Sequence, residues 1–181
     1  VHIPFCLSKC PYCDFYSEVA CDAAIQDYPD LLKQHLAWVT GQGEQGPIDT
    51  IYFGGGTPAL IAPESISDIL RATNQILGLS KDAEITLEAN PGTVSQKSVA
   101  GYRNAGVNRL SLGLQTCNDT QLTNLGRLHD HQEGLDAFNW ARDAGFDNLS
   151  LDLMFALPGQ TSADIEIDLC AYLELAPEHL S

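Results

Sequence analysis

Val1-His2-Ile3-Pro4-Phe5-Cys6-Leu7-Ser8-Lys9-Cys10-Pro11-Tyr12-Cys13-Asp14-Phe15 opens the chain, and the reading of this stretch decides the fold. An apolar, strand-like run delivers Cys6, Cys10 and Cys13 onto one loop in a Cys-x3-Cys-x2-Cys spacing. Three thiolates so close in sequence can wrap a cubane, ligate three irons and leave the fourth without a protein ligand. Two other chemistries use similar thiols: a zinc knuckle, which wants a fourth Cys or His nearby, and a Cys10-Pro11-Tyr12-Cys13 redox pair of thioredoxin type. The strand before the loop and the glycine run that comes later favour the cluster.

Working outward, the run at Val1 to Phe5 is the first of five short apolar segments, each followed by polar punctuation and then a helix-period stretch. The others are Thr50 to Phe53, Glu84 to Glu88, Arg109 to Leu114 and Asn148 to Met154, with helices expected at about 27–41, 64–77, 95–104, 131–144 and 162–175. This βα alternation predicts an α/β fold with a parallel sheet. Right-handed βα units point every strand the same way, so all strand C-termini open onto one face. On that face fall the cysteine loop, Gly54-Gly55-Gly56-Thr57-Pro58, and the residues near Glu88, Gln115 and Asp152. With a sixth strand beginning at His179, an open parallel (βα)6-type partial barrel fits this length; a flat doubly wound sheet is the alternative.

The 181 residues are 44% hydrophobic and 18% charged, enough apolar material for one substantial core, and residues 1–181 read as one domain. Both ends read as cut, inside a strand-like run at Val1 and at a strand just starting at His179, so a longer protein with a further C-terminal domain is expected. The formal charge of −15, from 24 Asp and Glu against nine Lys and Arg, argues against a nucleic-acid partner, which needs a basic face. No signal peptide or apolar span of about 20 residues is visible, and a cytoplasmic location is expected. There, six cysteines at 6, 10, 13, 21, 117 and 170, three of them clustered, point to metal or redox chemistry rather than a disulfide scaffold. Cys21, Cys117 and Cys170 have no ligand-like spacing and read as small core or loop residues. His129 and His131, flanking Asp130 at a helix start, read as capping or exposed residues, and His2 as either structural or near the cluster.

The cysteine loop, with an aromatic residue, Tyr12, just before its last Cys, resembles the signature of the radical S-adenosylmethionine (SAM) superfamily. The resemblance continues through Tyr52-Phe53-Gly54-Gly55-Gly56-Thr57-Pro58, Glu88-Ala89-Asn90-Pro91, Gly113-Leu114-Gln115, and Asp152-Leu153-Met154 to Leu157-Pro158-Gly159-Gln160-Thr161. These stretches are similar to the branch that contains oxygen-independent coproporphyrinogen III oxidases and HemW-type heme chaperones. The resemblance implies a [4Fe–4S] cluster on Cys6, Cys10 and Cys13, whose open iron is chelated by the methionine group of SAM. It further implies reductive cleavage of SAM to methionine and a 5′-deoxyadenosyl radical, with the cofactor supplying the chemistry and the protein the positioning.

It also implies a SAM site made by Tyr12, Gly55, Gly56, Thr57, Glu88, Gln115, Arg127 and Asp152. Glycines without Cβ atoms would let backbone donors and acceptors approach the methionyl group. Glu88 and Asp152 would accept from ribose hydroxyls or an amino group, and Arg127 would meet the carboxylate of SAM. On the residues alone, the preferred reading of Glu88 and Asp152 is a solvated strand-end carboxylate, and that of Arg127 a surface arginine. A Tyr that contributes to the site in relatives would precede Val1.

The oxidase pattern carries a further cysteine at the position of Phe15, and Cys13-Asp14-Phe15 is the form that resembles the chaperones. The resemblance therefore implies a heme-binding protein that delivers heme, its cargo, to an acceptor such as a membrane-associated respiratory protein. A reductant such as flavodoxin or ferredoxin is implied as electron donor. Coproporphyrinogen III decarboxylation is the alternative enzymatic reading, and a cluster that only transfers electrons a third.

Overall fold

The computed structural model describes residues 1–40 and 46–181. The opening run forms two strands rather than one, β1 (His2–Ile3) and β2 (Phe5–Cys6). Pro4 between them has no N–H to give a ladder, and the two strands pair with different partners. The partner of β2 is β3 (Glu18–Val19), in register Phe5↔Glu18 and Cys6↔Val19. There follow α1 (Asp22–Thr40), β4 (Ile48–Gly55), α2 (Pro63–Leu77), β5 (Leu79–Ala89), α3 (Gln96–Ala105) and β6 (Arg109–Gln115). The chain then runs through α4 (Asp119–Asn124), α5 (His131–Asp143), β7 (Leu149–Leu153), α6 (Ser162–Glu174) and β8 (His179–Leu180).

Six strands make one parallel sheet in the order β1-β4-β5-β6-β7-β8. A doubly wound sheet reverses direction at a switch point, whereas here each strand adds on the same side. With right-handed crossovers that puts the helices on one face, and successive helices pack side by side, α1 on α2, α2 on α3 and α3 on α5. This is the open, partial-barrel form of the α/β expectation.

Residue alternation along the strands gives the two faces opposite character. Towards the helices point Ile51 and Phe53, Ile85 and Leu87, Leu110 and Leu112, and Leu149 and Leu151, all buried, against Ile66, Ile69, Val99, Tyr102 and Phe138. Each such side chain contributes about 1.5–3 kcal/mol by leaving water. The intervening residues on the opposite face are polar: Tyr52, Thr86, Glu88, Arg109, Ser111, Ser150, Asp152 and His179. Register sets Glu88 beside Ser111, Ser111 beside Ser150, and Ser150 beside His179.

Helix starts follow side-chain caps: Ser95, Asp130 and Thr161 each close a capping box at the head of α3, α5 and α6. Two helices depart from expectation. α1 begins at Asp22, before the expected 27, and contains Pro29, while residue 41, its expected end, lies outside the described residues. The six-residue α4, capped by Asn118 accepting from Gln121 N at 3.1 Å, is too short to show a helical period. Among the described residues no helix is long and apolar enough to cross a membrane.

Candidate metal and cofactor site

The cysteine loop is closed at its neck. The β2–β3 ladder joins its two ends, Glu18 N donates to Pro4 O at 2.8 Å, and Lys9 Nζ donates to the Phe15 and Ser17 carbonyls at 3.3 and 3.1 Å. His2 reaches Tyr16 O through Nε2 at 2.9 Å and its ring packs on Gly55, a structural role tying loop to sheet. Inside the loop Cys13 N donates to Cys10 O at 3.1 Å. All three thiols are free and half-buried. Cys6 Sγ accepts from Thr57 Oγ1 at 3.6 Å, and Cys10 Sγ donates to Gly126 O at 3.7 Å.

The glycine run forms the wall beside Cys6. Gly54 N, Gly56 N and Thr57 N donate to Val1 O, Ile3 O and Phe5 O at 3.1, 2.7 and 2.7 Å, and Gly55 N donates to Glu88 Oε2 at 3.1 Å. The expectation that backbone donors of the turn approach a ligand is thereby corrected: the four N–H groups are engaged within the chain. Gly55 has φ +123, a conformation that disfavours a side chain, and a Cβ at Gly56 would lie 2.6 Å from Phe5 O and 3.0 Å from Cys6 Sγ. These glycines permit the contact between turn and cysteine loop.

Glu88 is neither free nor fully solvated: its other oxygen, Oε1, accepts from Tyr52 Oη at 2.7 Å. Asp152 accepts from Ser111 Oγ at 3.1 Å, and burial, only partly offset by Ser111, holds its carboxyl above the usual range. Gln115 ends β6 at a register shift with φ +69, left-handed backbone for a non-glycine residue, and is 9% exposed; such strain concentrates at functional sites.

Arg127 is half-buried rather than a surface arginine. Its guanidinium donates to Gly113 O at 2.7 Å, to Asn90 Oδ1, and to Tyr12 Oη at 3.4 Å, while Nε is buried with no protein partner among the described residues. Gly113 is what lets it cross β6, since a Cβ there would sit 3.0 Å from Arg127 Nη2.

One cavity of about 610 Å³ is lined by Cys6, Cys10, Cys13, Tyr12, Gly55, Gly56, Thr57, Glu88, Gln115, Arg127 and Asp152 together, within the ordinary size range of small-molecule sites. Every sequence-predicted site residue is thus brought to one place. The cavity also takes in Asn90, Arg109, Ser111, Ser150 and His179, which sequence reading passed over. The period-two alternation that puts polar residues on the inner sheet face was the signal that could have found the last four. His129, expected to cap or be exposed, is 6% exposed; burial and the nearby Arg127 charge push its imidazole down to about 4, so it is neutral. Cys117 is half-buried, its thiol pushed up to about 12 by burial and Asp168, while Cys170 is exposed on α6 rather than in a core.

The donor set fits a cluster better than a single ion. Zinc draws its ligands to about 2.0–2.3 Å from one point, and no group of three or more His, Cys, Asp or Glu among the described residues is so gathered. Three thiols spread along one loop, with no fourth protein donor beside them, suit a cubane with one iron left open.

A sheet that opens all its strand ends onto a three-cysteine loop and a glycine turn is matched by family: residues 1–169 match the radical SAM superfamily, and the chain belongs to it. That family holds a [4Fe–4S] cluster and SAM. The chain is 41% identical to the heme chaperone HemW of Haemophilus influenzae over 186 aligned residues, covering all of this chain and 49% of that protein. It is equally 41% identical to heme chaperone HemW of Escherichia coli, covering 48% of it. Among solved structures, the coproporphyrinogen III oxidase HemN of Escherichia coli, described as a radical SAM enzyme, superposes with a TM-score of 0.89 at 29% identity, over 99% of this chain and 42% of that one. The chain spans about half the length of the curated relatives it matches.

Proposed function

We propose that this chain is the cluster- and SAM-binding core domain of a heme chaperone, a protein that binds heme and hands it to an acceptor, with Cys6, Cys10 and Cys13 holding the cluster. The observation that carries the choice is position 15. Phe15 stands where the oxidase pattern has its further cysteine, 68% exposed at the cavity edge, and offers apolar surface instead of a thiol. The 41% identity to two HemW proteins, over all of this chain and about half of theirs, supports the same reading.

When bound, the reduced cluster supplies an electron for cleavage of SAM. The chain's own residues would position that cofactor. Carbonyls of the glycine turn face its ammonium, Arg127 its carboxylate, and Asp152 its ribose hydroxyls; Glu88 and Asn90 hold the glycine turn and Arg127 in place. Gln115, fixed at the β6 terminus, and Tyr12, beside Arg127, close the pocket walls.

Transfer to a respiratory, membrane-associated acceptor, reduction by a flavodoxin or ferredoxin, and a cytoplasmic location complete the reading. The likeness to HemN keeps coproporphyrinogen III decarboxylation as the second reading. Anaerobic assay of the full-length, cluster-reconstituted protein separates them: heme binding and transfer without protoporphyrinogen formation is expected, and turnover of coproporphyrinogen III with SAM and reductant would overturn the chaperone reading.

A further inference from the structure

We propose that Arg109, on the inner face of β6, is the carboxylate-recognition residue of the cavity and takes a propionate side chain of the bound tetrapyrrole. The proposal rests on the heme reading above and assigns that ligand its anchor.

Three cationic side chains line the cavity, and two of them are each held by several protein acceptors. Lys9 closes the cysteine loop on two carbonyls, and Arg127 is held by Gly113 O, Asn90 and Tyr12. Arg109 makes one long bond, Nη1 to Thr86 Oγ1 at 3.4 Å. The ion pairs among the described residues join Lys33 to Asp30, Arg71 to Asp68 and Arg142 to Glu178, and Arg109 is in none of them. A guanidinium in a cleft of a chain with net charge −15 is an unusual placement, and its five donors call for a planar acceptor.

The cavity's own acids do not fill that role. Glu88 has both oxygens engaged by Tyr52 and Gly55, and Asp152, bonded to Ser111 through Oδ1, feels the Arg109 charge but forms no ion pair with it among the described residues. On the same inner face Ser150 and His179, joined Oγ to Nδ1 at 2.9 Å, add neutral polar groups to the cavity wall. An apolar macrocycle with carboxylate arms matches this combination with exposed Phe15 and Tyr52 at the rim. The carboxylate of SAM is the other source of the same chemistry, and the experiment distinguishes the two.

Full-length, cluster-reconstituted protein is titrated with ferric heme and with heme dimethyl ester, whose propionates carry no charge. The wild-type protein is expected to bind the free acid about tenfold more tightly than the diester, the worth of one charge-assisted pair. Arg109→Gln removes that preference, Arg109→Lys restores part of it, and SAM affinity stays within about twofold of wild type in both, the spread expected when no direct contact is lost. Equal wild-type affinity for acid and diester, or an acid preference that survives Arg109→Gln, overturns the assignment while leaving heme binding intact. A loss of SAM affinity with unchanged heme affinity overturns it in favour of SAM. Failure of both heme forms to bind wild-type protein overturns this assignment together with the chaperone reading.

Discussion

Replacing Gly56 by Ala perturbs the point where cofactor turn and cysteine loop touch. The new Cβ would sit 2.6 Å from Phe5 O and 3.0 Å from Cys6 Sγ, and the first of these is backbone that cannot rotate away. β2 must shift away from the turn, straining the Thr57 N to Phe5 O bond, now 2.7 Å, which anchors the turn to the loop. Overpacking costs about 1–3 kcal/mol and a lost buried hydrogen bond about 1 kcal/mol more. Together these correspond to a fall in Tm of roughly 5–15 °C for a domain of this size. Because the displaced strand carries Cys6, iron retained per chain after anaerobic reconstitution should fall as well. Gly46→Ala is the control, since a Cβ there meets nothing within 4 Å among the described residues. Wild-type iron content and Tm in Gly56→Ala, measured beside that control, would refute the reasoning.

Arg127→Lys keeps the charge but cannot reach Gly113, Asn90 and Tyr12 together; SAM affinity by calorimetry should weaken about tenfold or more, with cluster content unchanged. Phe15→Ala should leave iron per chain at the wild-type value, because the side chain is exposed and supplies no ligand. Asp152 has a folded-state pKa above its ordinary value, so its contribution is favourable below that ordinary value and is lost as pH rises through the raised one. Thermal unfolding should show Asp152→Asn more stable than wild type at pH 7, the gap closing towards pH 4. His129 runs oppositely: its pKa is depressed to about 4, so stability present above pH 6.5 is lost as pH falls towards 4, by up to about 3 kcal/mol. Denaturant titrations of His129→Gln should be flatter across that window.

The features legible in the sequence are those carried by local spacing. Cys6, Cys10 and Cys13 share one loop, and the strand-terminal residues Thr57, Glu88, Gln115 and Asp152 follow apolar runs, so their meeting at one cavity follows from parallel βα order. Partnerships between distant segments were not legible. That Asn90 would hold Arg127, that Glu88 would hold Gly55, and that Glu18 would pair with Phe5 depend on packing across the sheet and leave no periodic trace. His129 reads as a cap neighbour because Asp130 and Glu133 do form the cap; its burial comes from tertiary packing that leaves no local pattern. The break at Pro4 had a visible cause in the missing N–H, but which partner each half would take had none. Arg109 and Ser111 lie inside a run that reads as an apolar strand, and only the alternation of faces separates them from Leu110 and Leu112.

The central claim is that one cavity joins a three-cysteine cluster to SAM, and electron paramagnetic resonance of the reduced, reconstituted full-length protein tests it most directly. Addition of SAM should change the cluster signal in wild-type protein, and replacing Cys6, Cys10 and Cys13 together should abolish the signal. A cluster signal that SAM leaves unaltered would contradict the account and assign the centre to electron transfer alone.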